Sequence, residues 1–142
     1  MPIATPGLFA SYRTLVLGAG LNLSSLVINA IFIDDTDDTP VLATDDFFDD
    51  LAGTPVPVEA SAPALASKTL GTVAAGVFDA ADTVFTSLSG DQVENLVIYE
   101  DSGAAATSDL IAGWGTGVTG LPLTPNGGNV TVVWSASGIF TF

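Results

Sequence analysis

The chain has 142 residues, enough for one domain that buries about two thirds of the surface its unfolded form would expose. It contains no Cys and no His, which excludes disulfides, thiol nucleophiles, Cys/His zinc sites and Ser-His-Asp catalysis. Sixteen acidic residues stand against Arg13 and Lys68 alone, and a net charge of −14 repels a phosphate backbone, so nucleic acid is not expected as a direct partner.

Apolar residues make up 48% of the chain and charged residues 13%, a composition that folds rather than one of a disordered acidic tail. Most of the acids are Asp, which favours loops and caps over helix interiors and agrees with a strand-rich chain.

In chain order, Thr5-Pro6 reads as a helix start, and Leu8, Phe9, Tyr12, Leu15 and Val16 follow at helical spacing until Gly18 or Gly20. Thr14 to Ile33 is uncharged and long enough to cross a bilayer. Gly18, Gly20, Asn22, Ser24, Ser25 and Asn29 interrupt it, and no basic stretch flanks it, so no membrane span is expected. Ser25 to Ile33 is apolar on both faces apart from Asn29, the pattern of a central strand.

Asp34 to Asp38 reads as a loop, and Thr44 to Leu51 as a short helix burying Phe47, Phe48 and Leu51, with Gly53 after its end. Pro55, Pro57 and Pro63 make the next stretch an edge strand or an extended crossover, because Pro cannot donate to a ladder. Leu65 to Val73 is expected as a further edge strand.

Val77 to Tyr99 reads as a hairpin around which the rest is arranged. Asp82 to Leu88 alternates, Ser89-Gly90-Asp91 supplies turn chemistry, and Val93 to Tyr99 is rich in strand-forming residues. Asp101 to Thr107 is a loop, and Asp109 to Trp114 resumes a strand. Gly113, Gly115, Gly117 and Gly120 mark unusual dihedrals or close approach. Leu121 to Gly128 is a turn-rich connection, Asn129 to Trp134 alternates as a strand, and Gly138 to Phe142 is expected to close the fold.

The expected architecture is mainly β, an antiparallel β-sandwich or partly open barrel with one or two short helices. It forms a single domain over residues 1–142, with 1–6 as an extended N-terminal arm.

No constellation points to chemistry. Asp35 and Asp37 have the spacing of the first ligands of a calcium loop, but Thr39, Pro40 and Asp46 fall where Asp or Asn, Gly and Glu are required, so the segment reads as solvated charge. Asp91, Glu94, Glu100 and Asp101 bracket the Val93 to Tyr99 strand, and a pair of them could work across a sugar bond only at a fixed separation. The glycine-rich run around Trp114 has neither a following helix nor a Lys, so it is not a phosphate cradle. Asn22-Leu-Ser24 and Asn129-Val-Thr131 match the glycosylation triplet without a secretory signal to give it weight. Trp114, Trp134 and Tyr99 form a candidate platform for sugar rings or part of the core. No metal, cofactor or catalytic residue is expected.

A series of short segments carries a family resemblance: Ala66-Ser-Lys-Thr69, Val77-Phe-Asp-Ala80, Asp82-Thr-Val-Phe-Thr86, Ser89-Gly-Asp91, Leu96-Val-Ile-Tyr-Glu-Asp101, Ala106-Thr-Ser108 and Leu110-Ile-Ala112. Gly120-Leu-Pro-Leu-Thr-Pro-Asn-Gly-Gly128, Val130-Thr-Val132 and Trp134 continue it, and Phe47-Phe-Asp-Asp-Leu51 extends it upstream. In this order they resemble a small protein encoded among the structural genes of tailed bacteriophages. The chain departs from that pattern at Gly113-Trp114-Gly115, where such proteins tend to carry Tyr and Asp, and in the uncharged ending from Ser135 to Phe142, where they tend to carry Asn and Lys.

The resemblance implies a virion component; the role expected for it is non-catalytic, with a carboxylate-only glycosidase the last-ranked alternative. The leading expectation is a decoration or cement protein on the outer capsid surface, oligomeric, contacting the major capsid protein and neighbouring copies of itself. The alternative is a tail, fibre or baseplate component that meets host glycans through its aromatic residues. Composition singles out the Pro-rich start, Pro2, Ile3 and Pro6, and the aromatic residues Trp114, Phe140 and Phe142 as partner contacts.

Overall fold

A computed structural model describes residues 1–19, 22–51, 55–57 and 61–142. The fold is mainly β, as expected: the described residues form three antiparallel sheets, one helix and two short 3-10 turns, and among them no sheet closes into a barrel.

The main sheet has four strands in the order β1 (Gly7–Leu8), β7 (Leu110–Trp114), β6 (Asn95–Glu100) and β2 (Ile28–Ile33). All six residues of β2 are buried, as are the first five of β6, which is why both read as continuous apolar runs rather than alternating ones. Burying Ile31, Val97, Ile98 and their neighbours from both faces stabilises the fold by about 1.5–3 kcal/mol for each large side chain.

Although β2 ends the sheet, its outer edge is covered. Phe32 and Val56 exchange backbone N–H···O bonds of 2.8 Å, Ala30 N donates to Pro63 O, and Leu65 N donates to Ile28 O. In the described part of the Pro-rich stretch the donors toward β2 are Val56 and Leu65, while Pro63 contributes only its carbonyl, so this edge pairing asks for no proline N–H.

The helix α1 (Ala10–Ala19) starts later than Thr5-Pro6 suggests. Gly7 and Leu8 pair with Gly113 and Ala112 as β1 before the helix begins. A register shift opposite Ile98 and Tyr99 places an extra residue, Ile111, in β7, and the Ile111 carbonyl accepts the Phe9 N–H at 3.0 Å. Ala10 N donates to Leu42 O at 2.8 Å, so the sheet and a loop, not Thr5, satisfy the first donors. Phe9 and Tyr12 are buried, with Leu15 and Val16 packed on the same core. Gly18 lies inside the helix; Gly20 is outside the described residues.

The expected hairpin does not form. β5 (Thr83–Phe85) pairs with β8 (Val130–Val132), whereas β6 pairs with β2 and β7. Gly90, at φ 143°, does turn the chain, but the turn carries it from one sheet to another. The same Ser, Gly and Asp chemistry serves either kind of turn, so local sequence cannot tell a hairpin from an arch between layers. The third sheet has the order β3 (Thr69–Leu70), β4 (Val77–Asp79) and β9 (Phe140–Thr141), which shortens the Leu65 to Val73 strand to two residues and places the chain end at a sheet edge. Phe32 of β2 meets Phe85 of β5 at 4.6 Å between ring centres, joining the main sheet to the β5–β8 ribbon.

The acidic helix expected over 44–51 is a single 3-10 turn, Phe48–Asp50. Phe48 and Leu51 are buried as expected, and Phe47 bridges to Asp109; Gly53 lies outside the described residues. No helix among the described residues is long and apolar enough to cross a membrane.

Candidate functional site

The start of the chain is tied to the body at Met1 and Ile3, while residues 4–6 are exposed. Ile3 is 5% exposed, its N–H donates to Asn95 Oδ1 at 2.8 Å, and its carbonyl accepts the Thr116 N–H at 2.8 Å. The Met1 ammonium sits 2.6 Å from Asp35 Oδ2. Gly115 makes this seat possible, because a Cβ there would lie 2.6 Å from the Ile3 nitrogen. Of the three N-terminal contact candidates, Ile3 is interior, Pro2 is half-buried and Pro6 is exposed.

The C-terminal candidates come together with the start of the chain. Phe140 stacks on Phe78 at 5.0 Å, and Phe142 meets Phe140 edge-on at 5.3 Å while staying 50% exposed. Gly7, Leu8, Arg13 and Leu17 line an open cleft of about 470 Å³ with Phe140 and Phe142, and Pro6 lines a neighbouring one that shares Gly7, Leu8 and Arg13. Arg13, one of two basic side chains in the protein, thus lies between the exposed proline and the terminal aromatic residues.

Trp114 is elsewhere, half-buried against Trp134 with ring centres 5.6 Å apart and planes tilted by 51°. The Trp134 indole donates to Thr83 Oγ1 at 3.1 Å. Tyr99 does not join them: it is fully buried against Phe48 at 4.5 Å. The three aromatic residues therefore form no common platform.

A third feature was not singled out by sequence. Phe32, Leu96, Val118, Leu121, Leu123 and Val130 to Val133, with Thr119 and Gly120, line a cleft of about 440 Å³ beside β8. None of these residues is charged, and every charged side chain of the protein precedes residue 110. The signal was present as this uncharged final stretch, but its meaning depends on the three-dimensional course of 118–133.

The acidic loops are more than solvated charge. Asp34 Oδ1 accepts from Thr36 N and Oγ1 at 2.8 and 2.7 Å, Asp45 Oδ2 from Val41 N at 2.7 Å, and Asp50 Oδ2 from both Asp46 N and Phe47 N at 2.9 Å. These carboxylates pin turns in the way Asp does at caps. Burial would raise the Asp35 carboxyl, but hydrogen bonds from the N-terminal ammonium and Thr39, with the ammonium's charge, hold it below the usual carboxylate range.

At the other end of β6 the carboxylates crowd. The hydrogen bond with Asp50 raises Asp46 above the usual range, with burial and the Asp50 charge adding to it. Burial raises Asp109, helped by Asp46, and burial raises Glu100, helped by Asp109. The Tyr12 hydroxyl is raised by burial and then by Glu100 and Asp109, so it stays protonated. Among the described residues no group of three or more acids is placed to hold a metal ion.

Of the carboxylates bracketing β6, Glu94 and Glu100 stand at opposite ends of a six-residue strand, about 20 Å apart along the backbone. Glycosidic acid and base groups stand about 5–9.5 Å apart. Glu94 accepts the Asp35 N–H at 3.0 Å, and Asp101 accepts from Asn29 Nδ2 at 3.0 Å and Gly103 N at 2.9 Å, so both serve the fold.

Neither a protein-family model nor a curated protein matches the sequence.

Proposed function

We propose that this chain is a non-catalytic structural protein of a tailed-phage virion, a decoration or cement protein on the outer capsid surface that stabilises the shell. The observation that carries the reading is the ordered run of segments from Ala66-Ser-Lys-Thr69 to Trp134 that resembles such proteins. Its partners are the major capsid protein and neighbouring copies of itself.

The placement of the aromatic residues supports it. Phe142 and Phe140, with Pro6 and Arg13, give one contact patch, and the uncharged cleft beside β8 gives another. Two separate patches suit a protein that bridges neighbours, and depletion of charge is the mark of interface centres. The tail or fibre alternative depends on aromatic contact with glycans; the tilt between Trp114 and Trp134 and the interior position of Tyr99 favour the shell reading over it.

The test is addition of the purified full chain to phage particles assembled without it. Saturable binding and a higher temperature of DNA release are expected. No binding, with an unchanged release temperature, would overturn the proposal.

A further inference from the structure

The β5–β8 ribbon has a bare edge. Trp134 N donates to Asp82 Oδ1 at 3.0 Å, which continues the side of β8 that faces β5. Strand alternation then turns the backbone N–H and C=O groups of Thr131 and Val133 the opposite way. No strand among the described residues pairs with that side of β8. Thr131 is exposed, and Val133 is 73% exposed.

Exposed strand edges are templates for pairing, and proteins commonly guard them with Lys, Pro or an inward charge. In this chain no charged side chain follows Asp109, and the edge borders the uncharged cleft lined by Val118, Leu121, Leu123, Val130 and Val132. Open backbone groups, unguarded flanks and an apolar cleft beside them suit the addition of an extended strand.

Charge selects the occupant. A basic partner is drawn to the carboxylates between Asp34 and Asp50, not to a neutral edge. A second copy of this chain, itself at −14, is repelled over most approaches and meets no like charge at this cleft. Antiparallel pairing of an edge with itself needs only one self-complementary surface. We infer that two copies of this chain join through the free edges of their β8 strands, Val130–Val132 and the adjoining Val133, into a four-stranded β5–β8–β8–β5 sheet. The half-buried Val130 and Val132 of each copy would cap the cleft of the other. This deepens the proposed reading and rests on it for the role of self-association; the test is made in solution without particles, so its failure is separate from failure of the virion assignment.

Sedimentation of the full chain between about 10 µM and 1 mM, spanning weak affinities, should show a monomer–dimer equilibrium that strengthens with salt as repulsion is screened. Val133→Lys places like charges at the join, and Thr131→Pro removes an edge donor; each should weaken dimerisation about tenfold or more. Leu17→Lys, on a helix residue that is 90% exposed, should leave it unchanged. Amide exchange at Thr131 and Val133 should slow as concentration rises. A monomer throughout the range, or a dimer indifferent to Val133→Lys and Thr131→Pro, would overturn the inference, as would exchange at both amides independent of concentration.

Discussion

Gly115 passes Ile3 so closely that a methyl group on it would lie 2.6 Å from the Ile3 nitrogen and 2.7 Å from its oxygen. The start of the chain is locked to the end of β7 by this fit and by the bonds from Ile3 N to Asn95 and from Thr116 N to Ile3 O. Gly115→Ala must push the N-terminal segment off. A loss of about 2–4 kcal/mol is expected, combining overpacking with stranded hydrogen-bond groups. Urea denaturation should show a lower midpoint with an unchanged slope.

The two faces of β5 differ sharply. Phe85 is buried against Phe32, and Phe85→Ala should cost about 3–5 kcal/mol through the cavity it leaves. Val84 is 45% exposed, and Val84→Ala should stay within about 0.5 kcal/mol. The same denaturation experiment decides which face is inside.

Asp109 gives a pH-dependent prediction. Its folded pKa is raised by burial and by Asp46, so ionisation is less favourable in the folded chain than in the unfolded one. Such a group favours folding below its unfolded pKa and loses that contribution as pH rises through its folded value. Asp109→Asn should therefore stabilise the fold at pH 7 by less than about 1 kcal/mol given its partial exposure, read as a raised Tm, and the gain should vanish near pH 4. Asp35 has the opposite sign, since its folded pKa is lowered. Asp35→Asn should lower Tm at neutral pH, and the difference should close as pH falls through the acidic carboxylate range.

The acids between Asp34 and Asp50 repel one another, and Tm should rise with ionic strength as that repulsion is screened. With no group of three acids placed to hold a metal among the described residues, calcium and magnesium should act equally at matched ionic strength. A melting series in the two chlorides makes the comparison.

The strands with continuous apolar runs were legible in the sequence, because β2 and β6 are covered on both faces and their composition says so. Pairing was not. Whether Asp82 to Leu88 joins Val93 to Tyr99 or Val130 to Val132 depends on which sheet the chain enters after Gly90, a choice made by the packing of Phe85 on Phe32 and not by the turn residues. The helix begins later than its sequence signal because Thr5-Pro6, a genuine start signal, loses to the pairing of Gly7 and Leu8 with β7. Composition singles out contact candidates but does not separate an interior Ile3 from an exposed Phe142. The uncharged stretch after Asp109 was visible, but its bare edge exists only once β8 is placed beside β5.

The most direct test of the virion reading is the copy number of this chain in purified particles of a phage that carries its gene, measured by quantitative mass spectrometry against the major shell protein. The account predicts many copies in a fixed ratio to that shell protein. A handful of copies per particle, or none, would contradict it.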